Sequence, residues 1–185
     1  MSARKQQILQ TAVELIADEG YASLSMRALA RASGMKLGAL QYHFRTADEM
    51  VAGLVGYIAA SYRASFASLQ MNTKPSLREI VLFILDDEAG DALLSDRLWP
   101  QLWAMQQVEL LVSDLVEDIY AGYVALLEEA LAAANSDAPR ADALCLMSLL
   151  EGATIFMGAG RRWEADAPAV RSRILQYIDT RFSEQ

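Results

Sequence analysis

Helical periodicity is the feature of this sequence that most constrains its fold. Apolar residues recur every three or four positions along almost the whole of the 185-residue chain, and no segment shows the alternating β-branched residues that are typical of a strand. In residues 4–19, for example, Ile8, Ala12 and Leu15 share one helix face, and Gly20 follows as a stop signal. We therefore predict an all-α protein.

Breaks in this periodicity divide the chain into about nine helices. Ser25 is suited to cap a short helix that the Ser33-Gly34 dipeptide ends. The segment TADE at 46–49 has the pattern of a capping box that opens a long helix, and NTKPS at 72–76 is the best boundary between two units. The predicted helices span 4–19, 26–32, 37–44, 47–69, 76–88, 92–107, 110–134, 139–160 and 166–182.

Charge is distributed unevenly along the chain. Residues 1–45 carry six basic and three acidic side chains, a net charge of +3, whereas the remaining residues carry ten basic and 21 acidic ones. A cationic N-terminal head can approach phosphate groups, and an acidic remainder is repelled by them. The overall charge of −8 therefore does not exclude a nucleic-acid partner.

The composition disfavours several classes of protein. The longest apolar run, residues 145–160, is too short to span a bilayer and is interrupted by Glu151, and the N-terminus lacks a signal-peptide pattern, so we expect a cytoplasmic protein without a membrane partner. A single cysteine, Cys145, and a single histidine, His43, do not supply a disulfide or a structural zinc site. They also belong to different predicted units, which disfavours nucleophilic catalysis. We expect neither an enzyme nor a protein that needs a metal or another cofactor.

The stretch SGMKLGALQYHFRTADEM at 33–50 indicates a nucleic-acid partner. Two short helices joined through Ser33-Gly34 have the dimensions of a helix-turn-helix, whose second helix lies in the major groove of DNA. Ala28, Leu29 and Leu40 can fill the small core between these helices. Gly34 supplies the positive φ of the turn.

The outward face of the second short helix offers suitable chemistry for DNA. Lys36 can reach phosphate or guanine, and Gln41 can form two hydrogen bonds with adenine. Gly38 leaves space for a close approach of the helix to the duplex. His43 can donate to phosphate, although packing between Tyr42 and the following helix is an alternative role for it.

The run LSMRALARASGMKLGALQYHFRTADEMV, within about residues 4–55, resembles the DNA-binding signature of the tetracycline-repressor (TetR) family of bacterial regulators. The matching positions are Leu24, Arg27, Leu29, Ala30, Gly34, Gly38, Ala39, Leu40, Tyr42, His43, Phe44 and Glu49. The resemblance implies a helix-turn-helix DNA-binding domain at 1–46 and a ligand-sensing and dimerisation domain at 47–185, connected by the helix at 47–69. It also implies contacts with double-stranded operator DNA from Arg27, Lys36, Leu37, Gly38, Ala39, Gln41, Tyr42, His43 and Arg45.

Three positions depart from the family pattern. Lys36 replaces the usual Ser or Thr cap of the recognition helix, Gln41 replaces a Tyr, and Ala47 replaces a Lys. The first change loses a cap but adds charge, the second alters base preference, and the third removes a phosphate contact that Arg45 can partly replace. Operator binding stays the expectation, but the operator sequence cannot be transferred from relatives.

Aromatic side chains mark the expected effector site in the second domain. Trp99 and Trp103 share a face of one predicted helix; such stripes are often core, but the two rings can also form a wall for an apolar or cationic ligand. The segments LWPQLW and LLEGA loosely resemble the C-terminal domains of choline-sensing betaine-pathway repressors. We expect an unidentified small-molecule effector to contact Tyr62, Phe66, Trp99, Trp103, Gln106 and Tyr123.

The last two predicted helices need a partner surface for their apolar faces. They can complete the core of the monomer, or they can form a two-fold four-helix bundle with a second copy. We favour a homodimer because one helix-turn-helix head recognises too few base pairs for useful specificity. The predicted interface consists of Leu149, Ala153, Phe156, Ile174 and Ile178.

Two functions from different classes fit the sequence. The first is a dimeric transcriptional repressor that binds a palindromic operator and is released by a small apolar or cationic ligand. The second is a helical small-molecule or protein-binding module without operator recognition. The missing cap at Lys36 and the missing lysine at Ala47 keep the second possibility open.

Overall fold

The computed structural model describes residues 2–70, 74–85 and 97–182. These residues form nine α-helices and two short 3-10 turns, Tyr21–Ser23 and Glu164–Asp166, with no strand among them. The all-α prediction is confirmed. The helices are α1 Ala3–Glu19, α2 Met26–Ala32, α3 Leu37–His43, α4 Ala47–Gln70, α5 Leu77–Leu85, α6 Trp99–Met105, α7 Leu110–Ala133, α8 Pro139–Met157 and α9 Ala167–Arg181.

Helix boundaries in the N-terminal part follow the predicted signals. Gly20 ends α1 with φ of 84°, and its N–H donates to the carbonyl of Ile16 at 2.9 Å. Ser25 caps α2, since its hydroxyl accepts the amide of Ala28 at 3.2 Å. Gly34 has a φ of 64°, so the turn between α2 and α3 uses a conformation that glycine adopts without steric cost.

The capping box at the start of α4 is present. The hydroxyl of Thr46 accepts the amide of Glu49 at 3.1 Å, and the carboxylate of Glu49 accepts the amide of Arg45 at 2.8 Å. Two backbone donors at the helix start are thus satisfied by side chains. The direction in which the chain leaves the helix-turn-helix is fixed by these bonds.

Helices in the C-terminal half differ from the predicted spans mainly at their ends. The structure begins α6 at Trp99, with Pro100 in its first turn, and the predicted helical residues 86–88 and 92–96 lie outside the described part of the chain. Helix α8 ends at Met157, three residues early, because Gly158 and Gly160 follow and Gly160 has a φ of 75°.

The chain divides into two compact units, each made of two segments. Unit 1 contains residues 1–64 and 89–117, and unit 2 contains residues 65–88 and 118–185. The predicted domain boundary between residues 46 and 47 does not coincide with the division into these units. Helices α4 and α7 each contribute residues to both units. The assignment of separate functions to 1–46 and 47–185 stays a prediction.

Each unit has its own apolar core. Side chains buried in unit 1 come from α1 to α4, α6 and the start of α7, and include Ile8, Leu9, Ile16, Leu29, Leu40, Leu54, Ile58, Tyr62, Leu98, Leu102, Met105 and Val112. Side chains buried in unit 2 include Leu77, Ile80, Val81, Ile119, Tyr123, Leu127, Leu131, Leu146, Leu150, Ile174, Ile178 and Phe182. The helix-turn-helix and α6 therefore belong to the same compact unit.

Candidate functional site

The helix-turn-helix consists of α2, the turn at Ser33-Gly34 and α3. Leu29 and Leu40 are fully buried between these helices, and Phe44 and Ala30 complete this core. Ala28, which was expected in the core, is half-buried. Burial of the apolar side of α3 leaves its opposite side on the surface.

The exposed side of α3 carries most of the predicted DNA contacts. Gly38, Ala39, Gln41 and Tyr42 are exposed, Tyr42 to 88%. A Cβ placed on Gly38 meets no atom within 4 Å, so packing within the protein does not require glycine at this position. This surface can approach a partner closely along the backbone of α3.

His43 and Leu37 are half-buried at the two ends of α3. The imidazole of His43 lies edge to face against the ring of Tyr42, with centroids 5.5 Å apart and an interplanar angle of 83°. This packing orients His43 beside the exposed face. Both roles proposed for His43, phosphate donor and packed ring, are compatible with this position.

Basic side chains surround the exposed face of α3. Arg27, Lys36 and Arg45 have exposed side chains, and Lys36 begins α3 without a side-chain cap, as its residue type predicts. Lys5 lies over the ring of Phe44 at 5.1 Å from the centroid. Exposed basic side chains at the start of α3 and just after its end are suited to phosphate groups.

The aromatic residues predicted to bind an effector fall into two clusters, one in each unit. In unit 1, Tyr62 lies 5.7 Å from Trp99, and Trp99 lies 6.3 Å from Trp103, between ring centroids. Tyr62 and Trp99 are buried, whereas Trp103 and Gln106 are half-buried. The unit 1 cluster therefore offers Trp103 as its most accessible ring.

The second cluster lies in unit 2. Phe66 and Tyr123 meet edge to face at 4.9 Å, and both lie near Phe83, at 6.5 and 6.4 Å. Burial and the negative charge of Glu151 raise the pKa of Tyr123. Phe83 was missed at the sequence level, although it lies on the strongly apolar helix α5, because an apolar helix residue alone does not indicate an aromatic cluster.

An apolar groove of about 750 Å³ runs along α8 and α9 in unit 2. Leu149 and Phe156, two of the predicted interface residues, line it and are 43% and 56% exposed. Ile174 is buried at its floor, Ile178 is buried, and Ala153 is half-buried outside its lining. The groove is also lined by Met157, Trp163, Asp166, Ala169, Val170, Arg173 and Tyr177. These residues were not among the predicted interface residues, because a sequence does not show which side chains stay exposed.

Two further features bear on the class of protein. Within residues 2–70, 74–85 and 97–182, no group of three or more His, Cys, Asp or Glu side chains is arranged to hold a metal ion. None of the helices in the described part of the chain has the length and apolar character needed to cross a membrane.

The fold and the exposed face of α3 define a helix-turn-helix protein with a helical C-terminal region. Residues 8–54 match the model of the family described as bacterial regulatory proteins, tetR family. Residues 8–54 are therefore similar to the DNA-binding region of this family. The match includes α2, α3 and the start of α4, which are the elements on which the resemblance was based.

Curated and solved relatives agree with this family. Over 89 residues the chain is 27% identical to the HTH-type transcriptional regulator AcrR of Shigella flexneri, and the match covers 44% of this chain and 40% of that protein. A Rhodococcus sp. structure described as a TetR-family transcriptional regulator has a TM-score of 0.76 at 24% identity, covering 98% of this chain and 100% of that one. A Saccharomonospora viridis structure, described as a transcriptional regulator in complex with choline, has a TM-score of 0.78 at 21% identity, covering 97% of each chain. The two structures share their fold with this chain.

Proposed function

We propose that the protein is a transcriptional repressor that binds a palindromic operator as a homodimer and leaves it when a small apolar or cationic effector binds. The observation that carries this proposal is the two-sided character of α3. Leu40 is fully buried, while Gln41 and Tyr42 are exposed, and the exposed Lys36 precedes the helix without capping it. A short helix with one side in the core and a polar side beside cations suits the major groove.

The proposed operator contacts are of two kinds, one to a base and the others to phosphates. Gln41 recognises a base edge, since an amide can pair with adenine through two hydrogen bonds. Lys36, Arg27 and Arg45 bind phosphates, which sets the position of α3 but adds no base preference. The two recognition helices of a dimer then enter successive major grooves about 34–36 Å apart.

Homodimer formation is supported by the groove along α8 and α9. Leu149 and Phe156 expose apolar surface there, and a second copy related by two-fold symmetry can cover the same surface on both chains. Ile174 and Ile178, which are buried, support this face from below. A palindromic operator follows from the two-fold symmetry.

Effector binding is proposed at the Tyr62, Trp99 and Trp103 cluster of unit 1. Aromatic faces attract apolar groups and quaternary ammonium groups, and the Saccharomonospora viridis relative was solved with choline. Trp103 is half-buried, so a ligand can reach its ring. Gln106, one turn further along, can donate or accept a hydrogen bond. Phe66 and Tyr123, the other aromatic residues predicted to contact the effector, lie in the separate cluster of unit 2.

The proposal places the protein in the cytoplasm, where its operator lies, and assigns it no catalytic role or cofactor. The rival function is a helical binding module that does not recognise an operator. The absence of a side-chain cap at Lys36 is the observation that favours it, because an uncapped recognition helix is less stable.

Titration of fragmented genomic DNA at two salt concentrations tests the proposal. Selection of one palindromic fragment, with affinity that falls as salt rises, is expected because phosphate contacts release counterions. Sedimentation of the protein with and without that fragment gives the stoichiometry, for which two chains per operator are expected. Binding without sequence selection at both salt concentrations would favour the rival function.

A further inference from the structure

Tyr21 forms two hydrogen bonds with residues about eighty positions away in the sequence. Its backbone N–H donates to Oε1 of Gln101 at 3.1 Å, and its hydroxyl donates to Oε1 of Glu109 at 2.7 Å. All three residues belong to unit 1 and are half-buried. Through Gln101 the connection between α1 and α2 is joined to α6. Through Glu109 it is joined to the connection between α6 and α7.

The residue before Tyr21, Gly20, also lies close to Gln101. Gly20 has a φ of 84°, and a Cβ placed on it would come within 3.4 Å of Oε1 of Gln101. Burial and the Glu109 carboxylate raise the pKa of Tyr21 to about 12, so the phenol keeps its proton at neutral pH. The hydroxyl can therefore donate to Glu109 at neutral pH.

A third contact joins the same two regions but is weaker. Arg97 and Asp18 form an ion pair at 2.9 Å, with both side chains more than half exposed. An exposed ion pair contributes little to stability and is screened by salt. The part-buried bonds of Tyr21 are therefore the better candidates for fixing the position of one region on the other.

Gln101 lies on α6 between the two tryptophans of the unit 1 cluster. Tyr21 precedes Ser25, the cap of α2, by four residues. A displacement of α6 thus acts on Gln101, and through the amide of Tyr21 on the start of the helix-turn-helix. This path is separate from α4, which leaves the helix-turn-helix at its other end.

We propose that Tyr21 is a positioning residue that ties the helix-turn-helix to α6 through Gln101 and Glu109, so that effector and operator influence each other through this contact. The inference rests on the proposed function and adds a second connection to the covalent one through α4. A helix-turn-helix attached at one end only can rotate about that attachment. Two attachments restrict this rotation, and the position of α6 then determines the position of α3.

Tryptophan emission tests this inference without a known effector. The chain has three tryptophans, and a Trp163→Phe background leaves emission to Trp99 and Trp103 on α6. Saturation with the selected operator is expected to change this emission. Adding Tyr21→Phe, which removes the bond to Glu109 and keeps the backbone bond to Gln101, is expected to reduce this change, while operator affinity falls by about 2- to 10-fold, as for one lost hydrogen bond.

Two matched variants sharpen the experiment. Tyr57→Phe removes another part-buried phenol bond of unit 1, the one to Gln10 at 2.6 Å, and should leave the emission change intact. Glu109→Gln keeps an acceptor for Tyr21 and should retain the full emission change, whereas Glu109→Ala should reduce it as Tyr21→Phe does. Absence of an emission change in the unmodified background, or a full change in both Tyr21→Phe and Glu109→Ala, would overturn the role of Tyr21.

Hydrogen exchange of the free protein separates this result from a failure of operator binding. Tyr21→Phe is expected to speed amide exchange both at residues 21–28 and at residues 101–109, because one of the two hydrogen bonds that attach these regions to each other is lost. Faster exchange in both regions supports the contact even if no operator is selected. Unchanged exchange at 101–109 would refute it independently of the proposed function.

Discussion

The ring of Tyr62 lies edge to face against the indole of Trp99, with centroids 5.7 Å apart. Tyr62 is fully buried on α4, and Trp99 is the first residue of α6. Aromatic pairs in this geometry add about 0.5–1.5 kcal/mol to the free energy of packing beyond simple area burial. The contact holds two helices of unit 1 together and leaves Trp103, the next ring, more accessible.

Trp103→Ala is expected to preserve operator affinity and to reduce release by effector. Effector and operator weaken each other's binding by the same factor, commonly about 5–150-fold in coupled systems, and loss of the accessible ring should bring this factor close to one. This factor is measured by operator titration in the presence of choline as the first probe, followed by tetramethylammonium and an apolar amine. Leu144→Ala, which alters an exposed side chain of unit 2 that does not line the groove, is the control. Release of Trp103→Ala at the wild-type ligand concentration would place the effector elsewhere.

Gln41→Ala is expected to relax preference at one base pair of each operator half-site. The loss of a bidentate contact with a base costs about 1–3 kcal/mol of discrimination against the wrong base. Selection from a randomised operator library, followed by competition between the preferred and altered sites, measures the change. A selected sequence identical to that of wild type would show that Gln41 does not contact a base.

The matched control for Gln41 is Lys36→Ala. A side chain that contacts phosphate affects all sequences alike, so this variant should weaken preferred and altered sites equally and lower the salt slope by about one. A change in sequence preference would instead place Lys36 at a base edge.

Gly38→Ala is expected to lower operator affinity without lowering the free energy of unfolding. A Cβ at this position meets nothing within the protein, and alanine stabilises a helix interior by about 1 kcal/mol relative to glycine. Urea unfolding and operator titration give the two quantities. Gly56→Ala on α4, where the added Cβ also meets nothing, should gain similar stability and retain wild-type affinity. Equal operator affinity in both variants would mean that α3 does not approach DNA closely.

Thr46→Ala is expected to destabilise the protein by about 0.5–2 kcal/mol, since the amide of Glu49 loses its acceptor at the start of α4. Urea unfolding monitored by circular dichroism measures this loss. Glu49→Gln keeps a side-chain oxygen for the amide of Arg45 and should cost less. A larger loss for Glu49→Gln would show that the charge near the helix start matters more than the hydroxyl.

Leu149→Arg is expected to convert the proposed homodimer to a monomer. The side chain is 43% exposed in the groove, and a symmetric interface would place an unpaired charge there twice. Sedimentation at micromolar concentration measures the change. Leu144→Arg alters a leucine on the same helix that is 47% exposed and does not line the groove, so it should leave the dimer intact. Dissociation by Leu144→Arg alone would move the interface away from the groove.

Most of the helices could be predicted because their ends carry local signals. Gly20, Gly34 and the Thr46 capping box act within a few residues, so their effect is visible in the sequence itself. The face of α3 could be predicted for the same reason, since three- and four-residue spacing separates Leu40 from Gln41. The C-terminal end of α8 was harder to predict because the small residues at 158–160 fit either a helix or a turn.

The contacts between distant segments could not be predicted. Tyr21 meets Gln101 and Glu109 across eighty or more residues, and such pairs leave no periodic trace in one sequence. The aromatic residues assigned to one effector site belong to two units, because helical spacing gives the face of a residue but not the helix it packs against. The exposure of Leu149 beside the buried Ile174 also depends on the packing of α9.

The division of α4 between the two units has a consequence for engineering. A hybrid regulator that takes only its helix-turn-helix from a relative would be joined between α3 and α4, at about residue 46. Such a chimera would separate Tyr21 from its partners on the α6 side, and the imported head would meet Gln101 and Glu109 with unmatched side chains. We expect a functional hybrid to require residues 89–117 from the same parent as residues 1–64, so that two separate stretches of gene are inherited together.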